Sequence, residues 1–146
     1  MGRLASSAQV METSAKIGHE MTVHTYFEGR LALQVLPAAG QGALAVECRS
    51  DDTDLVEALA ALDDADTRAA VTAERALLAA LEGGCNVPLG AHAAPASGGL
   101  RLRAFVARAD GGTVLRGEDT GDDPEALGRR VAADLLARGA WSLVRS

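Results

Sequence analysis

Lysine is almost missing from this 146-residue chain: Lys16 is the only one, and the formal net charge is −6. A general nucleic-acid binder needs a basic face that displaces counterions from phosphates, and this balance excludes one. The cations are otherwise arginines, whose planar fork can still serve carboxylate ligands or pair with nearby Asp and Glu. Aromatic residues are scarce too, with two Phe, one Tyr and one Trp. A large aromatic core is therefore excluded, and an apolar content of 48%, mostly Ala, Leu and Val, points to helices packed closely through alanine. The two cysteines, Cys48 and Cys85, are far apart and make neither a disulfide framework nor a metal-ligand cluster. No apolar run approaches the roughly 18 residues of a membrane span. No secretory signal is visible near the start. The expectation is a cytoplasmic protein with no membrane contact.

Residues 1–30 show no sustained periodicity, and His19 and His24 stand five apart, which misses the i, i+4 spacing of a helical metal pair. Leu31, Leu33 and Val35 then alternate with polar or small residues and predict a short strand closed by Pro37. Leu36-Pro37-Ala38-Ala39-Gly40-Gln41-Gly42 reads as a loop. Its two glycines permit close backbone approach, and Gln41 between them can aim an amide at a ligand. The loop lacks the features of a phosphate-binding motif. From residue 43 to Cys48 the chain alternates again, with Leu44, Val46 and Cys48 on one face.

The period changes at Asp54. Leu55, Ala58, Leu59 and Leu62 fall at helical spacing, and residues 51–54 supply a capping oxygen. The run Asp63-Asp64-Ala65-Asp66 breaks this helix and opens a second, with Asp66 as its expected N-cap. Ala70, Ala73, Leu77 and Leu81 form the stripe of that helix, flanked by Val71 and Leu78. Glu74, Arg75 and Glu82 are placed off it. Gly83 or Gly84 suits the left-handed position that closes a helix.

Beyond Pro88 a short segment, 90–93, holds His92, and 94–99 reads as a turn. Leu100, Leu102, Ala104 and Val106 alternate along a strand, Asp110-Gly111-Gly112 turns it back, and 113–118 completes a hairpin before a loop at 119–123. The last helix has Asp123 as cap, Pro124 in its first turn, Leu127, Val131 and Leu135 as its stripe, and Gly139 beyond its end. The order α-α-β-β-β-α from Asp54 predicts an α+β domain, with all three helical stripes buried on one face of a small antiparallel sheet.

Cys85 follows two glycines outside the second helix's stripe, in Glu82-Gly83-Gly84-Cys85, and is placed for access rather than for packing. A helix C-terminus disfavours a thiolate, and no activating base lies nearby in sequence, so protease-like catalysis is poorly supported. One permanent bond to an electrophile asks less of such a thiol. Cys48 reads as a small buried hydrophobe, and His92 as a structural residue. Asp63, Asp64 and Asp66 are explained by helix capping.

Two stretches resemble porphobilinogen deaminase, also called hydroxymethylbilane synthase, of tetrapyrrole biosynthesis. One runs from Leu36-Pro37-Ala38-Ala39-Gly40-Gln41-Gly42 through Ala43-Leu44-Ala45-Val46-Glu47-Cys48-Arg49. The other starts at Thr72-Ala73-Glu74-Arg75 and ends in Leu81-Glu82-Gly83-Gly84-Cys85-Asn86-Val87-Pro88-Leu89-Gly90. The resemblance implies that residues 31–50 end the family's second domain and that 51–146 are its C-terminal, cofactor-carrying domain, with 1–30 unassigned. It implies a dipyrromethane cofactor on Cys85 through a thioether, with Gln41 and Gly84 beside it. It also implies a transferase that condenses four porphobilinogen units into hydroxymethylbilane with loss of ammonia. The family's catalytic aspartate and most substrate-holding cations belong to upstream domains that this chain does not match. No catalytic residue is identifiable here and no metal site is expected. The isolated chain is expected to be inactive unless the missing N-terminal domains are supplied. The alternative expectation is a truncated, non-catalytic domain or a small-molecule-binding module without cofactor.

Overall fold

The computed structural model describes residues 8–13, 36–81, 88–108 and 112–144. They form β1 (Ala8–Thr13), β2 (Leu44–Arg49), α1 (Thr53–Ala60), α2 (Ala65–Ala80), β3 (Leu89–Ala96), β4 (Gly99–Ala107), β5 (Val114–Gly121), α3 (Pro124–Ala137) and α4 (Ala140–Val144). β1 and β2 pair antiparallel, Ala8 opposite Arg49 and Thr13 opposite Leu44. The expected strand at Leu31, Leu33 and Val35 lies outside the described residues.

The α+β expectation holds for the second half of the chain. β3, β4 and β5 form an antiparallel sheet in that order, with α2 and α3 on one face. Alternation along β4 sends Leu100, Leu102, Ala104 and Val106 inward. They meet Ala73, Leu77 and Leu81 of the α2 segment, Leu127, Val131 and Leu135 of α3, and Ala140 and Leu143 of α4. Each fully buried leucine contributes on the order of 1.5–3 kcal/mol. α4 has no counterpart in the predicted elements. Gly139, at φ +93°, turns the chain out of α3 and lets α4 return to the core.

Caps define the helix starts. The Asp123 carboxylate accepts from Ala126 N–H at 3.0 Å, and Pro124 occupies the first turn of α3 as expected. For α2 the expected cap, Asp66, is displaced by Asp64. The Asp64 carboxylate accepts from the Thr67 N–H at 2.8 Å and from its hydroxyl at 2.7 Å, so the helix starts earlier and Asp66 falls in its first turn. Asp63 pairs with Arg68 at 2.9 Å.

Three expectations about extent are corrected. β3 runs on to Ala96 and β5 to Gly121, where turn and loop were expected, because pairing with β4 holds residues of weak intrinsic strand preference in line. The β3–β4 reversal needs only Ser97 and Gly98, with Gly98 and Gly99 at positive φ. The stripe of α1 does not join the core. No residue of α1 is buried, and Leu55 and Leu62 are 43% and 56% exposed. α1 lies against β2 and β1 rather than on the three-stranded sheet.

α2 and α3 touch most closely at Gly128. A Cβ there would stand 2.7 Å from the Ala76 Cβ and 2.8 Å from the Leu77 nitrogen, and would collide with the Ala73 carbonyl oxygen. Backbone atoms cannot move aside as a flexible side chain can, so Gly128→Ala is expected to destabilise the fold by about 1–3 kcal/mol despite alanine's helix propensity. Urea unfolding checks this: the midpoint should fall, and a midpoint equal to or above the parent's would contradict so close an approach.

Candidate functional site

The Gln41 loop is built by its own short-range bonds. Gln41 N–H donates to the Ala38 carbonyl at 3.0 Å, and Gly40, at φ +71°, occupies the third position of the resulting turn. A turn of that form requires a left-handed residue there, which glycine supplies without strain. Ala38 N–H then donates to Gln41 Oε1 at 3.1 Å. The exposed Gln41 side chain thus spends its carbonyl oxygen on the turn, leaving its NH2 group as the donor it can offer a ligand.

The loop is fastened to the rest of the domain by Glu74, which is only 7% exposed. Glu74 Oε2 accepts from Gly40 N–H at 2.7 Å, and Oε1 accepts from Ala93 N–H at 2.8 Å. One carboxylate on α2 therefore bridges the first motif and β3. The position expected off the helical stripe is part of it: Ala70, Glu74, Leu77 and Leu81 recur at i, i+4, i+7 and i+11. Residue type, read without its partners, hid that spacing.

A second bond runs beside the first. Ala91 N–H, also on the outer edge of β3, donates to the Pro37 carbonyl at 2.9 Å. Gly90, in the second motif, permits this: a Cβ there would lie 2.6 Å from the Leu36 carbonyl oxygen and would strike the Phe105 ring. Pro95 occupies the next outward position of the strand, and proline has no N–H to leave unpaired. The two motifs, separated in the sequence by residues 50–71, meet along this strand edge.

Cys85 and Gly84, with Gly83, lie outside the described residues. The chain on either side of 82–87 is anchored. Leu81 is fully buried and donates its N–H to Leu77 at 3.0 Å, and the Pro88 carbonyl accepts from Ala107 N–H at 2.9 Å. Leu89 pairs with Val106. α2 and β3, the two elements that flank the cysteine segment, are thus the same two that receive the Gln41 loop.

Cys48 is a free, buried thiol on β2, in keeping with a packing role. His92 lies on β3 beside Arg101 and Arg103 at a hollow of about 220 Å³ on the outer face of the sheet. A wider groove of about 510 Å³ between α2 and α3 is lined by Thr72, Arg75, Ala76 and Ala79 together with Glu125 and Arg129, which pair with each other. Gln41 lines neither. Among the described residues no helix is long and apolar enough to cross a membrane.

Burial raises the Glu74 pKa above the usual carboxylate range; the two N–H donors and the nearby His92 oppose the rise without cancelling it. Asp119 is moved the other way, chiefly by its hydrogen bond from Arg130 at 2.7 Å.

Comparison with known proteins places these motifs. Residues 68–137 match the family model described as porphobilinogen deaminase, C-terminal domain. The chain is 54% identical over 121 residues to porphobilinogen deaminase 1 of Streptomyces avermitilis, covering 75% of this chain and 37% of that protein. It is 53% identical over 123 residues to porphobilinogen deaminase of Nocardia farcinica, covering 77% and 36%. With porphobilinogen deaminase of Geobacillus kaustophilus it is 50% identical over 109 residues, covering 75% and 35%. The chain spans a little over a third of the length of these curated relatives.

The raised Glu74 pKa has a defined consequence for stability. The folded state holds the proton more tightly than the unfolded chain, whose carboxyl titrates near the ordinary value of 4.5. The contribution of Glu74 is therefore complete below that pH and is lost as pH rises through the folded pKa. The difference in urea midpoint between parent and Glu74→Gln should shrink as pH rises above the ordinary carboxyl value of 4.5. A difference that grows with pH would show that the two N–H donors outweigh burial.

Proposed function

We propose that the chain carries the C-terminal domain of the porphobilinogen deaminase family and is the part of such an enzyme to which a dipyrromethane is attached, through a thioether at Cys85. The observation that carries this reading is the identity of about 50% with named deaminases over the part containing both motifs. In the complete protein the reaction is condensation of four porphobilinogen units into hydroxymethylbilane, with ammonia lost at each addition, in the cytoplasm. The bound group supplies the primer to which pyrrole units are added.

The residues suit that group. A thiol forms a stable carbon–sulfur bond and needs no tuned pKa for a bond made once. Gly84 gives the backbone beside Cys85 room for a bulky adduct. Gln41, with its oxygen held by Ala38 N–H, presents an amide donor to a pyrrole carboxylate, and the Glu74 and Pro37 bonds seat its loop on the elements that flank Cys85. Asp63 and Asp64 are engaged by Arg68 and Thr67, which supports assigning the proton-handling acid of the reaction to a part of the complete enzyme other than this chain.

Intact-mass spectrometry after incubation with porphobilinogen and a complete deaminase tests the attachment. The parent chain should gain a dipyrromethane-sized adduct that Cys85→Ser lacks; an unmodified parent mass counts against the reading. The purified chain alone should consume no porphobilinogen, and measurable turnover would place the acid within it.

A further inference from the structure

Glu74 has no part in the attachment chemistry, yet it is the one carboxylate buried among the described residues, and both its oxygens are committed to backbone N–H groups on separate elements. A buried charge is costly unless fully hydrogen-bonded, so an acid retained here must organise something an apolar residue would not. Its partners say what. Ala93 N–H belongs to the edge of β3 that faces away from β4, while Gly40 N–H belongs to the turn that presents Gln41. On its other side Gly40 faces α2 as well: a Cβ there would stand at ordinary contact distance, 3.5 Å from the Arg75 Nε and 3.8 Å from Val71.

We infer that Glu74 is a positioning residue: it locks the Gln41 turn onto α2 and the edge of β3, the two elements that flank the Cys85 segment in the chain. The inference rests on the reading of Gln41 and Cys85 as cofactor-binding residues for its functional meaning, but the lock itself stands on the two hydrogen bonds. Glu74 acts through the turn and touches no reacting atom. The Pro37–Ala91 bond is the second point of the same attachment and depends on the first, because Pro37 and Gly40 are ends of one short loop.

Amide hydrogen exchange on the full chain, followed residue by residue by NMR, tests this with Glu74→Gln and Glu74→Met. Gln keeps one acceptor and turns an NH2 toward the other donor. Met fills a similar volume with no acceptor and spares the domain an unpaired buried charge. The informative reporters are Gln41 N–H and Ala91 N–H, which bond to Ala38 and Pro37 rather than to Glu74 itself. Both should exchange roughly tenfold faster or more in the Met variant, while Leu102 in β4 and Leu135 in α3 keep parental protection. Unchanged protection at Gln41 and Ala91 in both variants would overturn the lock. Loss of protection in step across loop and core in both variants would overturn it too, by showing that Glu74 supports the fold as a whole. The measurement needs no cofactor, so failure of the thioether reading leaves its outcome intact.

Discussion

One carboxylate organises the junction between the two motifs. Glu74 accepts from a turn on one side and from a strand edge on the other, at 2.7 and 2.8 Å. Charge-assisted bonds of this length are the strong kind, and they offset part of the cost of burying the acid. They also satisfy two donors that would otherwise be orphaned in a closed interface, at about 1–3 kcal/mol each. The edge of a three-stranded sheet is a liability when its N–H groups are left open. Here the outward positions of β3 are met in turn by the Pro37 carbonyl, by Glu74 and by Pro95, which has nothing to donate.

Small residues let these elements come together. Gly90 admits the Leu36 carbonyl beside the Phe105 ring, and Gly128 brings α3 onto the backbone of α2. Alanines at 70, 73, 91, 93, 104 and 132 are buried in the same core. A chain with so few aromatics reaches close packing by narrowing the gaps between elements rather than by filling them. The turn at Gln41 benefits directly, since a bulkier Gly90 would push the Pro37 end of its loop off the strand.

Much of the domain was legible from local pattern. The alternation of β4, the stripe of α3 with its Asp123 cap and Pro124, and a reversal somewhere within 94–99 follow from residue type and spacing; the turn expected at 110–112 falls partly outside the described residues. The extents of β3 and β5 were not, because Ala94, Pro95 and Asp119 have no strand preference of their own and are held by pairing with β4. The helical period of α1 was read correctly, but periodicity reports an amphipathic face without saying what covers it, and α1 leaves Leu55 exposed. Of the candidate site, Gln41 was singled out by its flanking glycines, whereas Glu74 was passed over because a glutamate looks like a solvent residue until its hydrogen-bond partners are known.

The sequence by itself determined the α+β order, the Asp123 cap of α3 and the likeness of its two motifs to porphobilinogen deaminases. Each is encoded in neighbours within a few positions or in an unbroken motif. Tertiary structure alone decided that the loop at 36–42 seats against β3, that Gln41 spends its oxygen on its own turn, and that a buried acid joins the two motifs. Those facts depend on backbone N–H and C=O groups, which every residue carries alike, so no pattern of side chains along the chain announces where they will meet.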